Sequence, residues 1–148
     1  MTASFSHLGV CVSDLDTSVR FYVEGLGFEL AEVFDIGSDF GKLMEVDGVE
    51  LTAQYLRRDG VALELLYYRQ PGHTGEAVRR PMNQLGLTHL NFRVDDVDRV
   101  AAGLVALGGT VLAETRTTFA LEGGSVMDFV YCTDPDGTRI ELMNLPAG

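Results

Sequence analysis

Four side chains in this sequence are of the types that hold a divalent metal: His7, Glu64, His89 and Glu141. Neutral imidazole and carboxylate together suit zinc, nickel, cobalt, iron or manganese. Their spacing carries the argument. The stretch 7–16 (HLGVCVSDLD) is answered by 89–98 (HLNFRVDDVD), an offset of 82 (89 against 7). The stretch 59–65 (DGVALEL) is answered by 136–142 (DGTRIEL), an offset of 77 (141 against 64). Loops absorb the difference, and each half opens on a histidine and closes on a glutamate. A single strand histidine or glutamate is ordinarily structural; the coincidence of two of each at equivalent repeat positions points to a shared cation. His73 has no counterpart and reads as a surface residue.

The elements that must position these groups repeat as well. In the first half, residues 4–12 alternate as a strand. Asp14 caps a helix over about 15–24, with Leu15, Val19, Tyr22 and Leu26 as its apolar stripe and Gly25 and Gly27 at its end. Strands near 28–35, 49–57 and 61–69 follow, the last two joined by a turn at Arg58-Asp59-Gly60. The second half has a strand near 87–94 and a helix near 97–107, capped by Asp95 or Asp96 and stopped at Gly108-Gly109. Strands near 110–115, 125–133 and 138–145 complete it, the last pair joined through Asp134-Pro135-Asp136-Gly137. The organisation is a first βαβββ module over 1–69, a linker over 70–86 and a second βαβββ module over 87–148. The fold class is α+β, with the two modules forming a half-open eight-stranded barrel and the helices outside.

Strand alternation assigns faces. Leu8, Val10 and Val12 pack beneath the first helix, leaving His7, Gly9 and Cys11 on the other face. Leu90, Phe92 and Val94 face the second helix, leaving His89, Asn91 and Arg93 opposite. Glu64 shares its face with Ala62, Leu66 and Tyr68, and Glu141 shares its own with Arg139 and Met143. Carboxylates on such a face are costly to bury without a partner, and one cation resolves that cost for all four groups.

Composition narrows the class. At 148 residues with 46% hydrophobic content the chain fits one domain or two small modules. A net charge of −11 disfavours nucleic acid and anionic membranes as partners. No apolar run approaches the ~18 residues of a membrane span, and the first residues lack signal-peptide character, so a cytoplasmic location is the expectation. The two cysteines, Cys11 and Cys132, sit in apolar runs and read as buried free thiols.

At these residues the chain resembles the vicinal oxygen chelate superfamily, which includes glyoxalase I, methylmalonyl-CoA epimerase, extradiol dioxygenases and bleomycin-resistance proteins. The resemblance covers nearly the whole chain. It rests on His7 followed by VSDLDTSVRFY over 12–22, on Leu63-Glu64-Leu65, on His89 followed by FRVDDVD over 92–98, and on DPDGTRIEL over 134–142. The resemblance implies one divalent metal per site, chelated by vicinal substrate oxygens and acting as a Lewis acid. It also implies a carboxylate that moves a proton α to a carbonyl, and a homodimer.

The His-Glu-His-Glu set is most similar to glyoxalase I. Bacterial glyoxalase I carries a glutathione-binding arginine four residues after its first histidine, where this chain has Cys11, and an asparagine four after its first glutamate, where this chain has Tyr68. Glutathione recognition by that route is therefore not expected. Extradiol dioxygenases use two histidines and one carboxylate, matching His7, His89 and Glu141, and Glu64 as a fourth ligand would fill a position that oxygen needs. Drug-binding relatives generally lack the ligands. The epimerase's second carboxylate has Glu50 as its counterpart, with Glu45 a weaker one.

The expectation is a metal-dependent lyase or isomerase of the glyoxalase or epimerase type acting on a small organic substrate, with Glu141 or Glu64 as base. A ring-cleaving dioxygenase and a non-enzymatic binding protein are the alternatives. Arg93 and Arg139 are candidates to hold a substrate carboxylate or enolate. Tyr68, Cys11, Asn91 and Met143 complete the predicted substrate contacts, with Leu66, Met127 and Phe129 or Tyr131 as apolar walls.

Overall fold

The computed structural model describes residues 2–145. The chain divides into two compact units between Gly75 and Glu76, and each is built around an open four-stranded sheet with the same connectivity.

In the first unit β1 (Leu8–Cys11) leads to α1 (Leu15–Arg20), which continues through a π-helical turn at Phe21–Gly25. Asp14 starts the helix by accepting from the Thr17 amide at 2.7 Å. Then come β2 (Glu29–Ile36), a 3₁₀ turn at Ser38–Phe40, α2 (Gly41–Met44), β3 (Glu50–Arg58) and β4 (Val61–Gln70). The sheet order is β1-β4-β3-β2, with β1 parallel to β4 and the other pairs antiparallel.

The second unit repeats this. It contains β5 (Leu90–Arg93), α3 (Val97–Ala106), β6 (Thr110–Ala120), β7 (Val126–Thr133) and β8 (Arg139–Asn144), in the order β5-β8-β7-β6. Asp96 is the cap of α3, accepting from the Arg99 amide at 2.9 Å. Residues 71–89 contain neither helix nor strand.

One face of each sheet holds the packing expected from alternation. Val12, Phe21, Tyr22, Leu26, Leu56, Leu63 and Leu65 are buried in the first unit; Val97, Ala101, Leu104, Ile140 and Leu142 are buried in the second. Most of the driving force for each unit lies in this apolar burial. Three details depart from the sequence reading. The first strand is shorter than 4–12, because residues 4–7 precede its ladder with β4. The segment 38–44 is helical and brings Met44 against the buried Val49, Leu51 and Ala53. Cys11 is exposed while Cys132 is buried, which corrects the pairing of both as buried thiols. Cys11 shares the helix-free face of β1 with Gly9, so its apolar neighbours in sequence point the other way.

The edge strands β2 and β6 carry an irregularity at matching places. On β2 the register shifts between Leu30 and Val33, and the Gln54 amide donates to the carbonyls of Ala31 and Glu32, both at 3.3 Å. On β6 it shifts between Leu112 and Thr117. There Thr115 Oγ1 donates to the Leu112 carbonyl at 2.7 Å and accepts from the Tyr131 amide at 2.9 Å, replacing the lost ladder bond.

Candidate functional site

In the first unit, parallel pairing sets Gly9 opposite Glu64, and antiparallel pairing sets Tyr55 opposite Glu64. His7, just before β1, then lies with Nε2 3.2 Å from Glu64 Oε2. Gly9 lies beside the carboxylate: a Cβ there would stand in ordinary contact, 3.7 Å from Glu64 Oε2. The Tyr55 ring meets the His7 ring edge-on, with centroids 5.2 Å apart. Burial, then its hydrogen bond to Glu64, pushes the Tyr55 phenol up to about 12, so its O–H stays protonated near neutrality and donates to the carboxylate.

The second unit repeats the arrangement. Asn91 and Tyr131 are the two residues paired with Glu141, and His89 Nε2 lies 3.0 Å from Glu141 Oε2. The Tyr131 ring is edge-on to His89 at 5.5 Å, and burial and the Glu141 charge raise its phenol. One difference stands out. Asn91 occupies the place of Gly9, and its Nδ2 donates to Glu141 Oε2 at 2.8 Å. Glu141 also lines a cavity of about 290 Å³ with Phe119, Phe129, Tyr131, Thr115 and Thr117.

Each pair has the spacing of two donors to one metal ion. Two donors, each about 2.0–2.2 Å from a metal and separated by a tetrahedral or octahedral angle, stand roughly 2.8–3.6 Å apart, which brackets both pairs. The other ring nitrogen is held too: His7 Nδ1 is 2.9 Å from Ser6 Oγ and His89 Nδ1 is 2.8 Å from Thr88 Oγ1. Such a bond on Nδ1 fixes the ring and leaves Nε2 to face the metal position. Within either unit, no third His, Cys, Asp or Glu joins the pair among the described residues.

The remaining predicted residues fall in different places. Arg139 is buried at 9% exposure, two residues from Glu141 on the same face of β8. Arg93 is exposed and Met143 half-buried, paired across β5 and β8. Tyr68 packs against the Val49–Ala53 cluster and donates to Met44 Sδ at 3.8 Å. Glu50 is exposed and pairs with Gln70; it lies five residues along β3 from Tyr55, about 17 Å at strand rise. The structure thus does not bring Glu50 to Glu64. Glu45, in a left-handed conformation at φ 56°, ends α2.

Sequence reasoning overlooked Ser6, Thr88, Tyr55 and Thr115. The signal for the first two was present, a hydroxyl residue directly before each repeat histidine. Tyr55 and Tyr131 mirror each other across their hairpins and become visible once the repeats are aligned on the turns.

A βαβββ unit present twice, each copy offering one imidazole and one carboxylate on its helix-free face, defines a two-module α+β fold. The chain belongs to the Glyoxalase/Bleomycin resistance protein/Dioxygenase superfamily, whose family model matches residues 4–142. It is 35% identical over 149 residues to a 2-epi-5-epi-valiolone epimerase of Actinomyces sp, covering 96% of this chain and 79% of the relative. It is 28% identical to a probable lactoylglutathione lyase of Vibrio parahaemolyticus, covering 93% and 87%. Among solved structures, a glyoxalase family protein from Bacillus cereus shares the fold at 20% identity, with a TM-score of 0.77 and coverage of 95% and 92%. Glyoxalase I from Zea mays is 25% identical with a TM-score of 0.63, covering 95% of this chain and 44% of that one.

Proposed function

We propose that the protein is a metal-dependent lyase or isomerase that moves a proton α to a carbonyl of a small organic substrate. The observation that carries this reading is Glu141, a carboxylate beside His89 that also lines a cavity. In this reading His7, Glu64, His89 and Glu141 together supply the donors of one divalent metal. When bound, the metal supplies Lewis acidity to two vicinal substrate oxygens. Four donors rather than three, and an epimerase among the relatives, favour proton transfer over ring cleavage.

The chain's own groups do the rest. Asn91 donates to Glu141 Oε2, so Oε1 is the oxygen available to take the α-proton. Phe119, Phe129 and Tyr131 exclude water from that side of the substrate. Glu64, held beside His7 and Tyr55, is the second candidate carboxylate.

The test is deuterium exchange. Protein loaded with zinc, nickel, cobalt or manganese is screened in D₂O against 2-hydroxyketones and hemithioacetals, with α-deuteration read by NMR. Glu141→Gln, whose amide oxygen can still serve as a weaker donor beside the other three, should lower exchange by about 10²–10⁴-fold when compared at equal metal loading. Equal exchange in the variant would remove Glu141 from the mechanism.

A further inference from the structure

The cavity against Glu141 has a neighbour. A second concavity of about 450 Å³ is lined by Arg79, Arg80, Glu114, Thr115, Tyr131 and Arg139 among others. Thr115 and Tyr131 line both, so the two cavities flank the same pair of side chains. The arginines come from β8 and from the irregular segment just inside the second unit.

Their charges are unevenly satisfied. Arg79 Nη1 pairs with Glu114 at 2.9 Å. Arg80 donates from Nη2 to the Leu85 carbonyl at 2.7 Å. Arg139 donates from Nε and Nη2 to the Arg80 carbonyl, at 3.3 and 2.9 Å, and its guanidinium lies 5.5 Å from the Tyr131 ring centroid. Among the described residues, neither Arg80 nor Arg139 has a carboxylate oxygen within 4 Å. Arg93 and Lys42 likewise appear in no ion pair among the described residues, but both lie outside this concavity. Arg139 is moreover the buried cation among the described residues; Glu114 feels its charge from across the concavity, but no carboxylate reaches it at ion-pair distance, which leaves a buried charge poorly compensated. By contrast, both arginines of the concavity at the β3–β4 hairpin are already spent: Arg57 pairs with Glu32, and Arg58 pairs with Asp59 and donates to the Leu26 carbonyl.

We propose that this cavity is an anion subsite, in which Arg139, with Arg80 and Arg79, receives a carboxylate or phosphate group of the substrate. That the anion belongs to the substrate rests on the reading of Glu141 as the reacting base. Arg139 and Glu141 alternate on one face of β8, about 7 Å apart at strand rise. The substrate is then a small organic acid or phosphate ester whose charged group stands about that far from the carbon that loses its proton. The planar donor fork of arginine suits either oxyanion.

The probes are inorganic phosphate and acetate, titrated separately into the full chain without added metal and followed by the arginine Nε–H resonances. At least one should bind saturably and shift the Arg139 resonance: acetate marks a carboxylate subsite, phosphate alone a phosphate-ester subsite. Arg139→Gln should weaken that binding at least tenfold. The exposed pair Arg79→Gln with Arg80→Gln should weaken it at least threefold, and decides the question if the Arg139 variant does not fold. Arg20→Gln, on α1, should leave it unchanged. Absence of saturable binding by either anion, or equal binding by wild type and the arginine variants, overturns the subsite. Because neither metal nor turnover is involved, this result is independent of the deuterium exchange: the subsite can fail with Glu141 still acting as base, and exchange can fail with the anion still bound.

Discussion

Each candidate histidine is fixed from two sides, by a carboxylate on Nε2 and by the hydroxyl of its preceding residue on Nδ1. Ser6 and Thr88 therefore act on the imidazoles rather than on substrate. Replacing both with alanine should weaken zinc binding by about 10–100-fold, read by competition with a chromogenic chelator; undiminished affinity would show that the rings are held by other means. The glutamates differ more than the histidines do. Glu64 is 11% exposed over Gly9 and bonded by Tyr55, whereas Glu141 is 19% exposed and bonded by Asn91. The repeat made these residues legible as a set. It was silent on the difference between Gly9 and Asn91, because each is an ordinary residue on an alternating strand until its partner across the ladder is known.

At the level of elements, the parallel pairings β1–β4 and β5–β8 bring chain segments 55 and 50 residues apart (63 against 8, 140 against 90) into register. The hairpins set the tyrosines opposite the glutamates. Helix positions were readable from Asp14 and Asp96 as caps and from apolar spacing, yet the stripe assigned to α1 omitted Ser18 and Phe21. Phe21 follows Ser18 by three residues and so shares its buried face. Ser18 is 1% exposed, and its hydroxyl has no hydrogen-bond partner among the described residues. Ser18→Ala should thus be neutral or stabilise the protein by up to about 1 kcal/mol, since an unsatisfied buried hydroxyl is removed and alanine favours helix. Urea denaturation checks this, and a loss above about 1 kcal/mol would contradict it. The bulge on β6 was not legible, because it depends on Thr115 replacing a backbone bond to Tyr131.

For the molecule as a whole, the two units share one blueprint, and the segment between their sheets is tied into the second by contact rather than by regular structure. Gly137, at φ 88°, passes so close to this segment that a Cβ would stand 2.7 Å from the Val78 carbonyl carbon. Gly137→Ala should cost roughly 1–3 kcal/mol from backbone strain, with the steric clash added, and should loosen Arg79 and Arg80. A thermal melt within one degree of wild type would show that the turn and segment do not press together. The sequence alone determined the repeat, the α+β order, the alternating faces and the His–Glu sets, since these follow from local periodicity and from patterns written twice. Tertiary structure alone decided that Cys11 is exposed, that Glu50 lies far from Glu64, and that Arg139 is buried without a carboxylate partner. Those outcomes depend on strand register and on irregular segments packing at a distance, which no local pattern encodes.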